Sequence, residues 1–223
     1  TDSIFFGAVI SVVGYLIGIF LRKKISVLNP LLVSIIFVIA VIKIFHIDYE
    51  TYNSGAKYIS YLLTPATVCL AIPLYRQISV LKEHAREVFI GILAGVLASM
   101  GSILLMSYLF GLTHERYVTL LPKSITTAIG MGVSEELGGI QTITVAVIII
   151  TGVLGNIIAE AVLKIFRIKE PVAKGLAIGT ASHAIGTTKA LEIGEIEGAM
   201  SSLSVAVAGL MTVISASIFA NMM

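Results

Sequence analysis

Charged side chains are scarce in this chain. Asp, Glu, Lys and Arg make up 13% of its 223 residues, against roughly 25% in a soluble globular domain. With 57% hydrophobic residues and a mean hydropathy of +1.01, several apolar runs approach the roughly 20 residues needed to cross bilayer hydrocarbon. No polar block longer than a loop interrupts them, so one integral-membrane domain is expected, with no soluble domain appended. The net charge of +2 is too small, and the basic residues too dispersed among short loops, to suggest nucleic-acid binding.

Cysteine is nearly absent. Cys69 alone excludes an internal disulfide, and in its apolar stretch it reads as a small packed hydrophobe. The four His residues lack zinc-ligand spacing, and no phosphate loop is present. Ser182 and His183 are neighbours that project in different directions, with no identifiable third residue to complete a hydrolase triad. No enzyme, cofactor or metal site is expected. The first apolar run lacks basic residues before it and has Arg22, Lys23 and Lys24 after it, so it is expected to be an ordinary span rather than a cleavable signal.

Six apolar runs read as full spans, at about 4–21, 28–45, 58–75, 88–110, 140–163 and 199–221. Asn29-Pro30 suits the first turn of the second, where a missing N–H costs little. Pro65 and Pro73 should bend or interrupt the third. Between the later spans lie two polar stretches, about 118–135 and 174–190, rich in Gly, Ser, Thr and Pro. Lipid tolerates no unpaired backbone, so such segments survive only when buried in protein or lining a wet cavity.

Charge placement bears on whether those stretches cross. If both dip in and return, Arg22, Lys23, Lys24, Arg76, Lys82, Arg86, Lys164, Arg167, Lys169 and Lys174 share one face. Lys43, Lys57 and Arg116 share the other. The positive-inside bias favours this re-entrant arrangement, with the N-terminus outside.

Shifting the chain by sixty positions lays Ile125, Thr127, Glu135, Gly138, Val145, Ala146, Val147 and Val153 on Ile185, Thr187, Glu195, Gly198, Val205, Ala206, Val207 and Val213. Lys123 then falls opposite His183. Apolar composition inflates such matches, but with one span between the units they would enter from opposite faces, as in the inverted repeats of many transporters. The expected fold is thus an all-α polytopic membrane protein with about six full spans and two re-entrant or broken-helix segments in an inverted repeat. Residues 1–117 would supply scaffold and oligomer contacts, and residues 118–223 the cargo-binding region.

Intramembrane charge marks functional candidates. Lys123 and His183 lead, because an ammonium or imidazolium beside a half-helix N-terminus suits a carboxylate. Ser124, Thr126, Thr127, Ser182, Thr187 and Thr188 would add hydrogen bonds. His183 also suits proton exchange near neutral pH, while snorkelling or helix capping are the plainer roles for the pair. Lys189 sits nearer an edge. Glu135 and Glu195, matched in the repeat, are coupling candidates or solvated turn residues. Asn156 and Glu160 share a helix face beside Gly152, Gly155 and Ala159. Gating is one role for them, and a surface pair of Glu160 with Lys164 is the other. Pro122 and Gly186 are further helix-break positions. The small stripe Gly91, Gly95, Ser99 and Ser102 reads as helix packing.

Three segments carry a family resemblance: Leu63-Thr64-Pro65-Ala66-Thr67 through Ala71-Ile72-Pro73-Leu74; Leu121-Pro122-Lys123-Ser124-Ile125-Thr126-Thr127; and Gly179-Thr180-Ala181-Ser182-His183-Ala184-Ile185-Gly186-Thr187 through Glu192-Ile193-Gly194-Glu195-Ile196-Glu197-Gly198-Ala199. Across essentially the whole chain the sequence resembles the LrgB/CidB family. The resemblance implies a bacterial cytoplasmic-membrane protein paired with a smaller LrgA/CidA-type membrane protein. It implies antiholin- or holin-like influence on murein hydrolase activity, lysis and cell death, or transport of small carboxylates of the pyruvate, glycolate or glycerate type. The physical site favours a monocarboxylate carrier, with a homodimer as the simplest assembly. The alternative is a holin-like pore or regulator acting through oligomer contacts.

Overall fold

The computed structural model describes residues 5–25, 28–62, 65, 69 and 71–223. Among them every regular element is a helix. The chain divides into two compact units, Thr1–Cys69 and Leu70–Met223.

In the first unit, α1 (Phe6–Lys24), α2 (Pro30–Ile44) and α3 (Tyr49–Ser60) are ordered in sequence. Pro30 opens α2 as expected, and the Asn29 side chain accepts from the Leu31 and Leu32 amides at 2.9 and 3.3 Å, which satisfies otherwise orphaned donors. Helix α1 packs on both others: its Gly18 lies against the Pro30 backbone, and its Ser11 hydroxyl meets the Tyr52 hydroxyl of α3 at 2.9 Å. Helix α3 carries Glu50, Asn53 and Lys57 and is capped by Asp48, which accepts from the Glu50 amide. The third expected span, 58–75, cannot be followed through. Residues 63, 64, 66–68 and 70 lie outside the described residues, and the bend expected at Pro65 falls on that stretch, whereas Pro73 lies within the short helix Ala71–Arg76.

The second unit holds α4 (Ala71–Arg76), α5 (Ile78–Glu83), α6 (Ala85–Phe110), α7 (His114–Leu120), α8 (Thr127–Glu136), α9 (Gln141–Ile165), α10 (Pro171–Ile193) and α11 (Glu195–Ala220). With α1, the helices α6, α9 and α11 are the four long and apolar enough to cross a membrane among the described residues. At 26, 25 and 26 residues, the latter three reach roughly 38 Å at 1.5 Å per residue, enough for a hydrocarbon core of about 30 Å. Their outward faces carry Phe89, Leu97, Leu105, Ile150, Leu154, Ile158, Leu210, Ile214 and Ile218 exposed, a surface suited to lipid. Inward, Val88, Ile92, Val96, Met100 and Ile103 of α6 recur at helical spacing. They pack with Tyr117, Leu121, Ile125, Val133, Leu176, Met200 and Met211 in one core.

Both polar stretches fold back on themselves. Helix α10 is two helices meeting at His183, whose φ of 43° and ψ of −145° are not helical. A Cβ on Gly186 would lie 3.1 Å from Ile178 Cγ2 and 3.2 Å from the Ile178 carbonyl oxygen. Eight residues of straight helix span about 12 Å, so the chain has reversed. The ingoing half sets Gly175 against Glu197 and Gly179 against Ser201; the returning half brings Thr187 to Ser201 and Leu191 to Gly198.

The stretch from α7 to α8 does the same with a longer tip, Leu121–Thr126. Gly130 sits near Pro122, while Gly139 and Ile140 return to Thr119, whose hydroxyl accepts from the Ile140 amide at 2.8 Å. Thr144 and Ser134 complete a buried hydroxyl cluster there. The first hairpin leaves and rejoins the end of the unit where α6 stops and α9 starts. The second uses the end where α9 stops and α11 starts. The helix α9 runs once between them.

Candidate functional site

The first hairpin tip places Lys123 beside the middle of α6. Its Nζ donates to Ser124 Oγ at 3.0 Å and to Ser99 Oγ at 3.3 Å, and the two serine hydroxyls are 3.0 Å apart. Lys123 is half-buried, and among the described residues no carboxylate pairs with it. The ion pairs of the second unit instead join Lys174 to Glu197, Lys189 to Glu160 and Glu192, and Arg76 to Glu195. An ammonium beside a low-dielectric wall with no carboxylate partner has the chemistry to attract an anion.

That ammonium lines a cavity of about 800 Å³. One wall is the small face of α6, with Gly91, Gly95, Ala98, Ser99 and Ser102. The facing wall is the ingoing half of α10, with Ala173, Ala177, Thr180 and Ala181. His84, Glu87 and Glu170 stand at the end where both helices begin. From Glu87 to Ser99 is twelve residues, or roughly 18 Å, so these charges mark the mouth and Lys123 the interior. Thr180 is 94% buried, at 6% exposure, and its hydroxyl has no hydrogen-bond partner although it lines the cavity. A buried unpaired hydroxyl costs free energy, and here a ligand oxygen would satisfy it.

The second tip is built differently. The His183 ring, 2% exposed, lies 2.9 Å from the Ile148 carbonyl of α9. A carbonyl only accepts, so Nε2 carries the proton and donates. The ring fits because Gly152 has no side chain: a Cβ there would stand 2.7 Å from Cε1 and 2.8 Å from Nε2. Around the break, Asn156 Nδ2 donates to the Ile185 carbonyl at 3.0 Å and to the Thr188 hydroxyl at 2.9 Å. Thr187 donates to the His183 carbonyl at 3.1 Å and meets Ser201 Oγ at 2.8 Å. These bonds satisfy backbone that a broken helix would otherwise leave bare.

The residues expected to bind cargo therefore separate. Lys123 and Ser124 line the cavity, whereas Ser182, His183 and Thr187 are buried away from it, with Ser182 against Gly155. Thr126 and Thr127 stand at the start of α8, half-buried, with no side-chain cap bond from Thr126, and Thr188 is exposed. Pro122 is buried in the first tip, and Gly186 lets the halves of the second close.

Glu135 is exposed, and Glu195 forms an exposed 3.9 Å pair with Arg76, worth little in such a setting. Glu160 turns to Lys189 at 2.5 Å rather than to Lys164. That bond ties α9 to the returning half of α10, and Asn156 serves the same joint. The α6 stripe does pack, since Gly95 lies against Thr180, yet it also walls the cavity. Ser99, a polar member on the face of Gly91 and Gly95, was the signal available in the sequence. Thr180 carried none beyond its place in a polar stretch.

The LrgB-like family profile matches residues 11–222. Antiholin-like protein LrgB of Bacillus mycoides (strain KBAB4) and that of Bacillus cereus (strain B4264) are each 38% identical over 217 residues, covering 96% of this chain and 94% of the relative. No solved structure matches. With the profile spanning nearly the whole chain, both hairpins included, this protein belongs to the LrgB-like family.

Proposed function

We propose that this chain is a membrane carrier for small monocarboxylates of the pyruvate, glycolate or glycerate type, and not an enzyme. The observation that carries the reading is Lys123, an ammonium with only hydroxyl partners inside an 800 Å³ cavity. A carboxylate leaving water must exchange its hydration for fixed donors. Lys123, Ser99, Ser124 and Thr180 offer them. Purified chain in liposomes should take up pyruvate saturably, and Lys123→Ala should abolish that uptake in protein that remains folded. Full uptake by the variant would remove the site, and passage of large unrelated solutes would favour a pore.

The finer architecture belongs to the same proposal: six spans, with the two hairpins as an inverted repeat. Support comes from the sixty-residue register, which sets Lys123 opposite His183, each at a hairpin tip and each hairpin rooted at a different end of the unit. Arg76, Lys82, Arg86, Lys164, Arg167, Lys169 and Lys174 gather toward the end where α10 begins, and Arg116 lies toward the other. This supports a bacterial inner-membrane protein with the α10 end cytoplasmic, and with the N-terminus outside. In a Cys69→Ala background, Glu136→Cys should label from outside and Glu192→Cys from inside; labelling of both from one side would overturn the inversion.

A smaller LrgA/CidA-type membrane protein and a second copy of this chain are the proposed partners. The name that the relatives bear, antiholin-like, favours one second reading: a regulatory or pore-forming oligomer that acts on murein hydrolases and lysis. It differs from the carrier in depending on assembly rather than on Lys123.

A further inference from the structure

We infer that Lys123 is also the proton carrier of the transport cycle, so that each anion crosses with one proton held at its Nζ. This inference rests on the carrier reading and deepens it. Its basis is the kind of partner the ammonium has. Lys174 and Lys189 face carboxylates, which accept from an ammonium but have no proton to donate to a neutral amine. Lys123 faces Ser99 and Ser124, two hydroxyls that also bond each other. A hydroxyl accepts from an ammonium and, by rotating, donates to a neutral amine. The pocket around Nζ therefore satisfies both protonation states, a property that a carboxylate or carbonyl partner would remove.

The groups that could compete are placed elsewhere. Among those lining the same cavity, His84 just before α6, Glu87 in its first turn and Glu170 just before α10 stand at the mouth, Glu87 being about 18 Å from Ser99 along the helix. From the other packed elements, Glu197 of α11 is engaged with Lys174, Glu160 of α9 with Lys189, and Glu195 with Arg76. Glu135 and Glu136 of α8 are exposed. His183 faces α9 and donates to Ile148.

The cycle balances. A proton from the outer side binds the Lys123 amine, the carboxylate binds the ammonium, and the pair crosses without net charge. Inside, the anion leaves with the proton, and the empty carrier returns with a neutral amine. Returning as a bare ammonium would carry an unpaired charge through hydrocarbon, which is costly. Lysine can shed its proton in a buried site, whereas arginine stays charged.

The test uses the purified full chain in liposomes with pyruvate as the probe and a pH dye trapped inside. Wild type should acidify the interior by about one proton per pyruvate, and an inward proton gradient should raise its uptake several-fold. Lys123→Arg should still exchange internal for external pyruvate, with weakened affinity, while losing net uptake and all stimulation by the gradient. Glu87→Gln and His84→Gln should keep the proton movement. Wild-type uptake that is saturable and Lys123-dependent but moves no protons would overturn the inference and leave the carrier reading intact. The inference fails equally if Lys123→Arg responds to the gradient like wild type, or if Glu87→Gln or His84→Gln abolishes the response. Should Lys123→Arg be inert, the wild-type proton count and the two mouth variants still decide. Saturable uptake that survives Lys123→Ala would instead remove the carrier reading itself.

Discussion

The two hairpin tips begin from similar sequence, each a Ser, Thr and Gly-rich interruption with one basic residue at matched positions, and end as opposite kinds of site. Around Lys123 polar capacity is left open: two hydroxyls, a nearby Thr180 hydroxyl with no partner, and a cavity. Around His183 it is used up. The ring bonds Ile148, Thr187 bonds the His183 carbonyl, and Asn156 bonds the carbonyl of Ile185. A satisfied buried network rigidifies, and an unsatisfied one waits for a ligand. A polar break in a membrane segment thus marks a place where water-seeking groups are kept. It does not say whether they serve the protein or its cargo.

The sharpest way to break this comparison is to truncate each tip. His183→Ala removes a buried ring and leaves the Ile148 carbonyl with one partner fewer, so it should cost about 2–5 kcal/mol of stability. The protein that stays folded should bind pyruvate within a few-fold of wild type. Lys123→Ala should show the reverse: thermal stability near wild type, and affinity lower by roughly 10- to 100-fold, the equivalent of a charge-assisted hydrogen bond. Thermal unfolding in detergent, set beside pyruvate binding, separates them. Equal losses of affinity from both variants would place the two tips in one site.

A milder probe enters from α9. Gly152→Ala puts a methyl where the His183 ring lies, an overpacking that should cost about 1–3 kcal/mol. The addition of His183→Ala should recover part of that loss, because the smaller side chain vacates the space. Strictly additive losses would mean that the ring does not depend on Gly152.

Much of the architecture is legible in the sequence. Helices α6, α9 and α11 follow from run length, α2 starts at the Asn29-Pro30 cap, and both polar stretches break where Gly, Ser and Thr gather. What sequence could not deliver is which neighbour a side chain meets. Glu160 has a basic residue four positions on, yet bonds Lys189, because the returning half of α10 brings a closer partner than its own helix does. The α6 stripe reads as packing, since small residues permit close approach. Whether they pack or leave a void depends on the opposite face. Here Ala173, Ala177 and Ala181 are small too, and a space remains between the helices.

The finest test concerns a cavity group that no pattern singled out. Thr180 lies in the wall with a hydroxyl that is buried and unpartnered. In the empty protein that group contributes nothing by hydrogen bonding and carries its desolvation cost, so Thr180→Val, which keeps the shape, should leave stability unchanged or slightly raised. If the hydroxyl serves the anion, the same substitution should weaken pyruvate binding by about 2- to 10-fold, the range expected from one ordinary hydrogen bond. The two signs together are diagnostic. A purely structural threonine would lower stability when replaced and leave affinity alone, and an idle one would change neither. Stability that rises while affinity falls would place Thr180 with Lys123 on the ligand side of the comparison, beyond the reach of the bonds that hold His183.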